Sequence, residues 1–368
     1  PVPAMPAASS VALSTTACRP AGAPGCTGSW GRCASRLQRT TASWLNVLTT
    51  PMEPAILDVD LLAFERGTRS QQQAVVDGVM RSLATGFVIT RSDLPPDLLD
   101  QAYGLLDRFF AQPSGRKAAF SAPGSCGQTG YTGLLVETAA GEPRPDWKEM
   151  LNWAEPLPPG HPLRRRFPLL YPEQQLPEPL VPGITAVLGR FHRAIAELQR
   201  RFLRVIATGL GVHPGFFDAV VADAPTLTRA VYYPPMDQAP EAGHLWAAAH
   251  GDINLITALP RATAPGLQVR VGECWLDAVA PEGHVILNSG LMLERLSNGR
   301  IPTGWHRVLA PPGWSAGRLS VVQFCHPRPS TVLVPLASCI DRDHPQRYAA
   351  VMAADALESV LYEINLLG

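Results

Sequence analysis

Three side chains in the carboxyl-terminal half of the sequence are of types that hold a metal ion. His250 and Asp252 stand two positions apart, and side chains at that spacing on an extended segment project to the same side. A second imidazole follows at His306, where an apolar segment begins. Two imidazoles and one carboxylate match the facial triad of non-haem Fe(II) sites, which leaves coordination positions open for O2. We therefore expect Fe(II) to be bound by His250, Asp252 and His306.

An arginine and a serine follow the second histidine at the same two-residue spacing. Arg318 and Ser320 stand 12 and 14 residues beyond His306, in an apolar run typical of a strand. A buried guanidinium is costly unless it meets an anion, and the neighbouring predicted strands offer no obvious acidic partner. We expect this pair to bind the distal carboxylate of 2-oxoglutarate, since the planar guanidinium and the hydroxyl both donate to carboxylates. Without Arg318 and Ser320, the His-x-Asp pair would be explained better as a hydrogen-bonded pair that binds no metal.

Further motifs accompany these residues along most of the chain. They are Arg229-x-x-x-Tyr233-Pro234-Pro235, Leu255-Ile256-Thr257, Gly266-Leu267-Gln268-Val269, Asn288-x-Gly290-x-x-Leu293, Leu296-Ser297-Asn298-Gly299 and His306-Arg307-Val308, with looser elements at Gly86-Phe87, Gly130-Tyr131 and Asp146-x-Lys148-Glu149. In order and spacing the set resembles the isopenicillin N synthase-like branch of the Fe(II)/2-oxoglutarate oxygenases. The resemblance covers about residues 55–324.

The resemblance implies both a fold and a reaction. The fold is α+β with a mainly β core, a double-stranded β-helix (jelly roll) with flanking helices. The implied iron ligands are the triad named above, and the implied 2-oxoglutarate-binding residues are Arg318, Ser320 and Tyr233. The reaction is oxidation of an unactivated C–H bond of a small molecule, by hydroxylation, desaturation or cyclisation, with release of succinate and CO2. One alternative is an oxidase of the isopenicillin N synthase type, whose Arg-x-Ser binds the substrate's own carboxylate; another is a metal-free binding protein.

Several positions near the motifs carry separate expectations. Gly251 stands where the family usually has Thr, which predicts extra room near the metal, and Val231 replaces an amide that would donate to the cosubstrate. The remaining polar and aromatic residues have ordinary structural interpretations. We expect a partly exposed His192 on a helix, a loop-capping His244, a surface His326, core packing of Trp246 and Met292, and a structural ion pair among Asp146, Lys148 and Glu149.

Hydrophobic spacing predicts the elements that position these residues. Apolar residues at three- and four-residue intervals indicate helices, and short β-rich runs between Gly and Pro indicate strands. The predicted helices are Ser70–Ala84, one after Pro95-Pro96, Thr185–Thr208 and Pro345–Asn365. The predicted strands are Ile56–Leu61, Gly86–Ile89, Thr226–Tyr233, Ile253–Ala258, Leu267–Val271, Cys274–Ala278, His284–Asn288, His306–Leu309 and Leu319–Phe324.

The chain divides into four predicted segments. Residues 1–51, rich in Ala, Ser, Thr, Gly and Pro, have the composition of a disordered extension. Residues 52–215 form a helical or mixed amino-terminal region of the oxygenase, and residues 216–335 form the β-helix catalytic core. Residues 336–368 contribute a terminal helix that packs on this core.

Composition argues against several classes of partner. The 31 basic and 31 acidic residues balance, which argues against nucleic acid, and no run of 18 apolar residues exists that would span a membrane. Seven cysteines without a C-x-x-C pair favour a reducing cytoplasm. We expect a cytoplasmic monomer that acts on a small molecule. The Ala-, Arg- and Pro-rich composition, typical of GC-rich bacterial genomes, favours specialised metabolism.

Overall fold

Two β-sheets face each other in the part of the chain that the computed structural model describes, residues 55–139 and 142–363, with backbone only at 362 and 363. The helices are α1 (Leu61–Arg66), α2 (Arg69–Leu83), α3 (Pro96–Phe110), α4 (Ser114–Ala118), α5 (Pro162–Arg166), α6 (Ile184–Gly209), α7 (Phe216–Val221), α8 (Leu291–Leu296) and α9 (Ala353–Glu363). The strands are β1 (Asp58–Asp60), β2 (Phe87–Arg91), β3 (Gly130–Thr132), β4 (Glu149–Ala154), β5 (Leu227–Tyr233), β6 (Ala247–His250), β7 (Ile256–Ala262), β8 (Leu267–Val271), β9 (Cys274–Asp277), β10 (His284–Ser289), β11 (His306–Val308), β12 (Arg318–Cys325), β13 (Val332–Leu333) and β14 (Val351–Met352).

The larger sheet has eight strands in the order β1-β2-β10-β7-β12-β5-β4-β3, and the smaller has four in the order β6-β11-β8-β9. Every pairing in them is antiparallel except β1 with β2. Met150 and Val231 of the larger sheet share one buried cluster with Val269 and Val308 of the smaller. Two sheets packed on a common core, with helices outside, form the jelly roll that the sequence predicts.

The long helix α6 covers the opposite face of the larger sheet. Its apolar residues repeat at three- and four-residue intervals, and Leu188, Phe191, Ile195 and Phe202 are fully buried. They pack in one cluster with residues of β12 and other strands. Truncating a phenylalanine in such a position costs about 3–5 kcal/mol. The predicted helix Thr185–Thr208 is therefore confirmed to within one residue at each end.

Strand β12 shows how the two faces are divided. Its odd-numbered residues Leu319, Val321 and Cys325 belong to the helix-side cluster. Its even-numbered residues begin with Arg318 and Ser320 and point to the side of the smaller sheet, because successive side chains alternate between faces. The sequence therefore sends one polar pair inward between the sheets, where the site lies.

Some predicted elements were wrong in extent. The predicted strand Ile56–Leu61 is strand only over Asp58–Asp60, because Asp60 caps α1 by accepting from Leu62 N at 2.9 Å. The predicted helix Pro345–Asn365 begins only at Ala353, since the preceding residues pair as β14 with β13. The predicted strand Ile253–Ala258 begins only at Ile256, as part of β7. Residues 253–255 form a bend instead.

Strands β3, β4, β6, β13 and β14 were not predicted from the sequence. Strand β4 has no polar–apolar alternation, because Glu149, Met150, Leu151, Asn152 and Trp153 are all buried. His192 also differs from prediction: it is 3% exposed, and its Nδ1 lies 2.7 Å from Thr228 Oγ1.

The predicted extension 1–51 lies outside the described residues. Strands β1 to β4 precede residue 215 and belong to the same sheet as β5, β7, β10 and β12, so that sheet crosses the predicted boundary between residues 215 and 216. The division into segments stays a prediction. Among the described helices, none has the length and apolar content needed to cross a membrane.

Candidate metal centre and its two cavities

The two sheet-edge histidines and the aspartate come together as the sequence predicts. His250 ends β6 and His306 begins β11, and the two are directly paired across the ladder. Asp252 follows two residues after the end of β6. Its Oδ1 lies 4.0 Å from Nε2 of each histidine, and the three ligand atoms all lie within 4.8 Å of one another. One small cation between them would contact all three.

Hydrogen bonds orient each of these side chains toward the common point. His250 Nδ1 lies 2.8 Å from Ala248 O and His306 Nδ1 lies 3.0 Å from Gly304 O. A proton on Nδ1 that is donated to a carbonyl leaves Nε2 as a bare acceptor, which is the form that binds metal.

The aspartate is held in a similar way. Asp252 Oδ2 accepts from Thr257 Oγ1 at 2.5 Å and from Asn288 Nδ2 at 2.8 Å. These bonds occupy one carboxylate oxygen and leave Oδ1 facing the imidazoles. The donor set of two imidazole nitrogens and one carboxylate oxygen therefore fits a non-haem iron.

The electrostatics favour the same protonation states. Burial, followed by the neighbouring His306, lowers the pKa of His250 to about 4. Burial alone would raise the pKa of Asp252, but the two imidazoles and the hydrogen bonds from Asn288 and Thr257 lower it. At neutral pH His250 is uncharged and Asp252 is ionised, which are the states that metal ligation requires.

A small cavity, here called the inner cavity, extends from the triad between the sheets. Its volume is about 60 Å³, and its lining includes Arg318, Ser320 and Tyr233 together with all three triad residues. Arg318 is 3% exposed; it donates to Ser320 Oγ at 2.9 Å and to Ala264 O at 3.1 Å. The sequence-predicted cosubstrate residues thus line the same cavity as the predicted metal ligands.

Arg318 has no carboxylate partner among the described residues. Its guanidinium lies 5.2 Å from the ring centre of Tyr233, its directly paired neighbour on β5. Burial lowers the pKa of Arg318, and the nearby Tyr233 and Tyr103 partly oppose this. A buried cation without a counter-ion is unfavourable unless a bound anion completes it.

A larger space, here called the outer cavity, opens from the other side of the triad. Its volume is about 250 Å³. His250, Asp252, Lys148, Arg229 and Phe324 line both cavities. His250 and Asp252 therefore lie where the two spaces meet, and His306 lines the inner cavity.

Comparison with protein families assigns both halves of the chain. Residues 57–178 match the family model described as the non-haem dioxygenase in morphine synthesis N-terminal domain, and residues 225–327 match that of the 2OG-Fe(II) oxygenase superfamily. The second match contains the whole triad and the Arg-x-Ser pair. The chain belongs to the 2OG-Fe(II) oxygenase superfamily.

Individual relatives support the assignment of this 2OG-Fe(II) oxygenase. The chain is 27% identical over 308 residues to mugineic-acid 3-dioxygenase of Hordeum vulgare, covering 83% of this chain and 85% of that protein. A 2OG-Fe(II) oxygenase family protein of Caulobacter crescentus has the same fold, with a TM-score of 0.74, 29% identity and coverage of 84% and 99%. A full-length Neurospora crassa protein, solved with alpha-KG and thymine, has a TM-score of 0.72, 23% identity and coverage of 85% and 98%. The enzyme is an oxidoreductase whose cofactors are Fe(II), 2-oxoglutarate and O2.

Four charged side chains form a buried cluster in the outer cavity of the oxygenase. Lys148 Nζ lies 2.6 Å from Glu137 Oε2 and 2.8 Å from Asp146 Oδ2, and Arg229 Nη1 lies 3.0 Å from Glu137 Oε1. Burial alone would raise the pKa of Glu137, but Arg229 and Lys148 lower it well below its usual range. We call these residues the charge-balanced cluster, since two cations meet two anions.

The predicted ion pair is present between Lys148 and Asp146, but Glu149 is not part of it. Lys148 pairs with Asp146, and both line the outer cavity. Glu149 instead pairs with Lys117 at 2.7 Å, away from the cavity. Glu137 and Arg229 were not predicted as partners, since they stand 92 positions apart along the chain.

His326 contradicts its sequence prediction. It was expected at the surface, yet it is 4% exposed and lines the outer cavity. It follows β12 by one residue and continues the even-numbered face of Arg318 and Ser320. That two-residue period is the signal in the sequence that was overlooked.

His244 is buried, with Nδ1 2.9 Å from Pro145 O. Trp246 and Met292 lie in the core as predicted.

The room predicted at Gly251 is filled by a neighbour. A Cβ at this position would lie 2.5 Å from Thr303 Cγ2 and 3.8 Å from Trp305 Cε2. The glycine thus accommodates the Thr303 methyl group behind the metal site.

Thr257 and Asn288, which donate hydrogen bonds to Asp252, were present in predicted motifs. Their role in holding the aspartate was not predicted.

Proposed function

We propose that this oxygenase oxidises an unactivated C–H bond of a small molecule, with His250, Asp252 and His306 holding Fe(II). Arg318, Ser320 and Tyr233 are proposed to bind the distal carboxylate of 2-oxoglutarate. Support comes from one observation above all: the Arg318 guanidinium, without a carboxylate partner among the described residues, lines the same cavity as the triad. A dicarboxylate would bring one carboxylate to Arg318 and the other to the metal.

Bound Fe(II) supplies the coupling of O2 reduction to oxidative decarboxylation of 2-oxoglutarate. For hydroxylation, 2-oxoglutarate, O2 and R–H become succinate, CO2 and R–OH, so that one oxygen atom enters each organic product. The protein's contribution is position and the exclusion of water. Arg318 and Ser320 fix the cosubstrate at one end of the inner cavity. The outer cavity holds the substrate C–H bond on the opposite side of the triad.

The inner cavity favours 2-oxoglutarate over the oxidase alternative. An oxidase of the isopenicillin N synthase type would use the Arg-x-Ser pair for the carboxylate of its own, larger substrate. Here Arg318 and Ser320 line the same cavity as all three triad residues, so a short diacid bound to them could reach the metal with its other carboxylate. We also propose a cytoplasmic location and a role in specialised metabolism, on the composition of the chain alone.

Binding of the cosubstrate can be tested apart from turnover. Equilibrium dialysis of 2-oxoglutarate with the Mn(II)-loaded protein should give saturable one-to-one binding that is lost in Arg318→Leu and retained in Arg307→Leu, a matched arginine on β11. Substrate turnover is then followed as succinate released per 2-oxoglutarate consumed. Oxidation of a substrate at full rate without 2-oxoglutarate would establish the oxidase alternative instead.

A further inference from the structure

His326 is the polar group of the outer cavity that the proposed function leaves unused. Neither ring nitrogen has a hydrogen-bond partner among the described residues, and Nδ1 is fully enclosed. A buried polar group without a partner costs about 1–3 kcal/mol. Because Nδ1 is enclosed, a ligand that enters the outer cavity would bond to this imidazole through Nε2.

Burial also keeps this imidazole uncharged. It lowers the pKa of His326 to about 4, against a smaller opposite effect of the Asp252 carboxylate. A neutral imidazole has one N–H donor and one acceptor nitrogen. It suits a hydroxyl, an amide or a ring N–H and C=O group, and it offers no charge to a carboxylate or an ammonium.

The charged side chains of the charge-balanced cluster already have partners within the protein. Lys148 contacts two carboxylates, and Arg229 contacts Glu137 and donates from Nε to Asn152 Oδ1 at 2.7 Å. The formal charges of the cluster cancel, with Glu137 and Asp146 opposite the two cations. An ionised group of a substrate would have to displace one of these buried pairs or remain unpaired, and either is costly.

Apart from Gln128 and Thr138, the remaining side chains of the outer cavity are apolar. Its walls include an aromatic pair and aliphatic side chains from four separate parts of the chain, namely Leu227, Ile253, Leu291, Trp305, Phe324 and Leu357. Apolar walls with a few placed polar groups are typical of small-molecule sites. They favour a substrate with an apolar body.

We propose that the substrate is an uncharged small molecule with an apolar body, and that His326 determines its selection by hydrogen bonding to a polar group on it. This inference rests on the proposed function, since it takes the outer cavity to be the substrate site. His326 is a specificity-determining residue here, with no part in metal or cosubstrate binding.

Matched pairs of acids and amides test the charge preference directly. Ligand-observed NMR would measure binding of indole-3-acetamide and indole-3-acetate, nicotinamide and nicotinate, and a fragment library of neutral and acidic compounds. The full chain is loaded with Zn(II) and 2-oxoglutarate, so binding is measured without turnover. In each pair that binds, the amide should bind about tenfold or more tightly than the acid.

Three histidine variants test the role of His326. His326→Leu, which keeps an apolar side chain of similar size, should weaken neutral ligands by about tenfold. His326→Gln retains a donor and an acceptor and should stay within about threefold of wild type. His213→Leu, an exposed histidine outside the cavities, should change nothing. All three should bind 2-oxoglutarate as wild type does, which also verifies folding.

The inference is overturned if acids bind as well as their amides, if His326→Leu binds neutral ligands as well as wild type does, or if the library holds no ligand whose affinity depends on His326. Failure of the proposed function has a different signature. In that case the wild-type protein would not bind 2-oxoglutarate, whatever the charge of the ligands that enter the outer cavity.

Discussion

The inner and outer cavities contain the same kinds of charged group in opposite circumstances. Arg318, which lines only the inner cavity, stands without a carboxylate partner among the described residues, unlike Lys148 and Arg229, which line both cavities. In the outer cavity the two cations, Lys148 and Arg229, are both paired with buried carboxylates. Buried charge alone therefore does not indicate an anion site. What matters is whether the folded protein already neutralises it.

The largest effect is expected where the two cavities meet. His306→Ala removes one of the three metal ligands, so the protein should lose its bound iron. Succinate release should then fall to the background rate. Metal analysis after dialysis should show loss of bound iron. His284→Ala, a histidine paired with Asp58 away from the cavities, is the control. Wild-type iron content in His306→Ala would contradict the assignment of this ligand.

The inner cavity should respond to loss of its cation in two opposite ways. Arg318→Leu should weaken 2-oxoglutarate by about 100-fold, since a buried charge contact worth about 2–5 kcal/mol is lost. It should also stabilise the protein without cosubstrate by about 1 kcal/mol or more, because an uncompensated buried cation is replaced by an apolar group. Dialysis measures the first effect and urea unfolding the second. A large loss of stability would mean that Arg318 has a structural counter-ion.

The outer cavity should behave in the reverse sense. Glu137→Gln removes the carboxylate shared by Lys148 and Arg229, and should lower the free energy of unfolding by about 3 kcal/mol. The cavity then carries a net positive charge, so acidic fragments should gain about tenfold in affinity while amides do not. Urea unfolding and ligand-observed NMR measure the two effects, and Glu142→Gln, outside both cavities, is the control. Unchanged binding of acids would show that the charge balance does not select the substrate.

A smaller effect is expected beside the metal, where Gly251 packs against Thr303. Gly251→Ala places a methyl group 2.5 Å from Thr303 Cγ2, and overpacking of this kind costs about 1–3 kcal/mol. Thr303→Ser removes that Cγ2 and keeps the hydroxyl that donates to Glu294 at 2.6 Å. Thermal unfolding of both single variants and the double variant should show recovery of most of the loss. Independent, additive losses would exclude the contact as the cause.

The smallest effect concerns the hydroxyl of the inner cavity. Ser320→Ala removes one neutral donor but leaves Arg318 in place, so 2-oxoglutarate should weaken by about two- to tenfold. The substitution tests how much of the cosubstrate binding depends on the cation. A loss as large as that in Arg318→Leu would show that the serine, rather than the charge, dominates.

The parts of the site that the sequence predicted are those governed by local spacing. His250 with Asp252 and Arg318 with Ser320 each stand two residues apart, and the period of a strand places such pairs on one face. The jelly roll followed from short strands punctuated by glycine and proline, together with the family resemblance. Helix α6 followed from its apolar spacing. In each case the informative residues lie within one element.

The parts that were missed depend on contacts between distant segments. Glu137 meets Arg229 and Lys148 only because the loop before β4 folds over the site, and no periodicity records that meeting. Strand β4 was missed because both of its faces are buried, which removes the alternation that marks a strand. His326 differs from these, since its position on the even-numbered face of β12 was available from the sequence.

Strand β12 has a consequence for how such an enzyme can change its substrate. Its even-numbered face leads from Arg318 to His326 over a distance on the order of 20 Å, in a frame that is hydrogen-bonded on both sides. Substitutions at residue 326 can therefore alter the preferred substrate while 2-oxoglutarate binding persists. A single-residue insertion or deletion within the strand would instead exchange the faces of the residues on one side of the change, and would turn either Arg318 or His326 away from its cavity. On this scaffold, substrate specificity can therefore change by point substitution at residue 326, but not by a change in the length of β12.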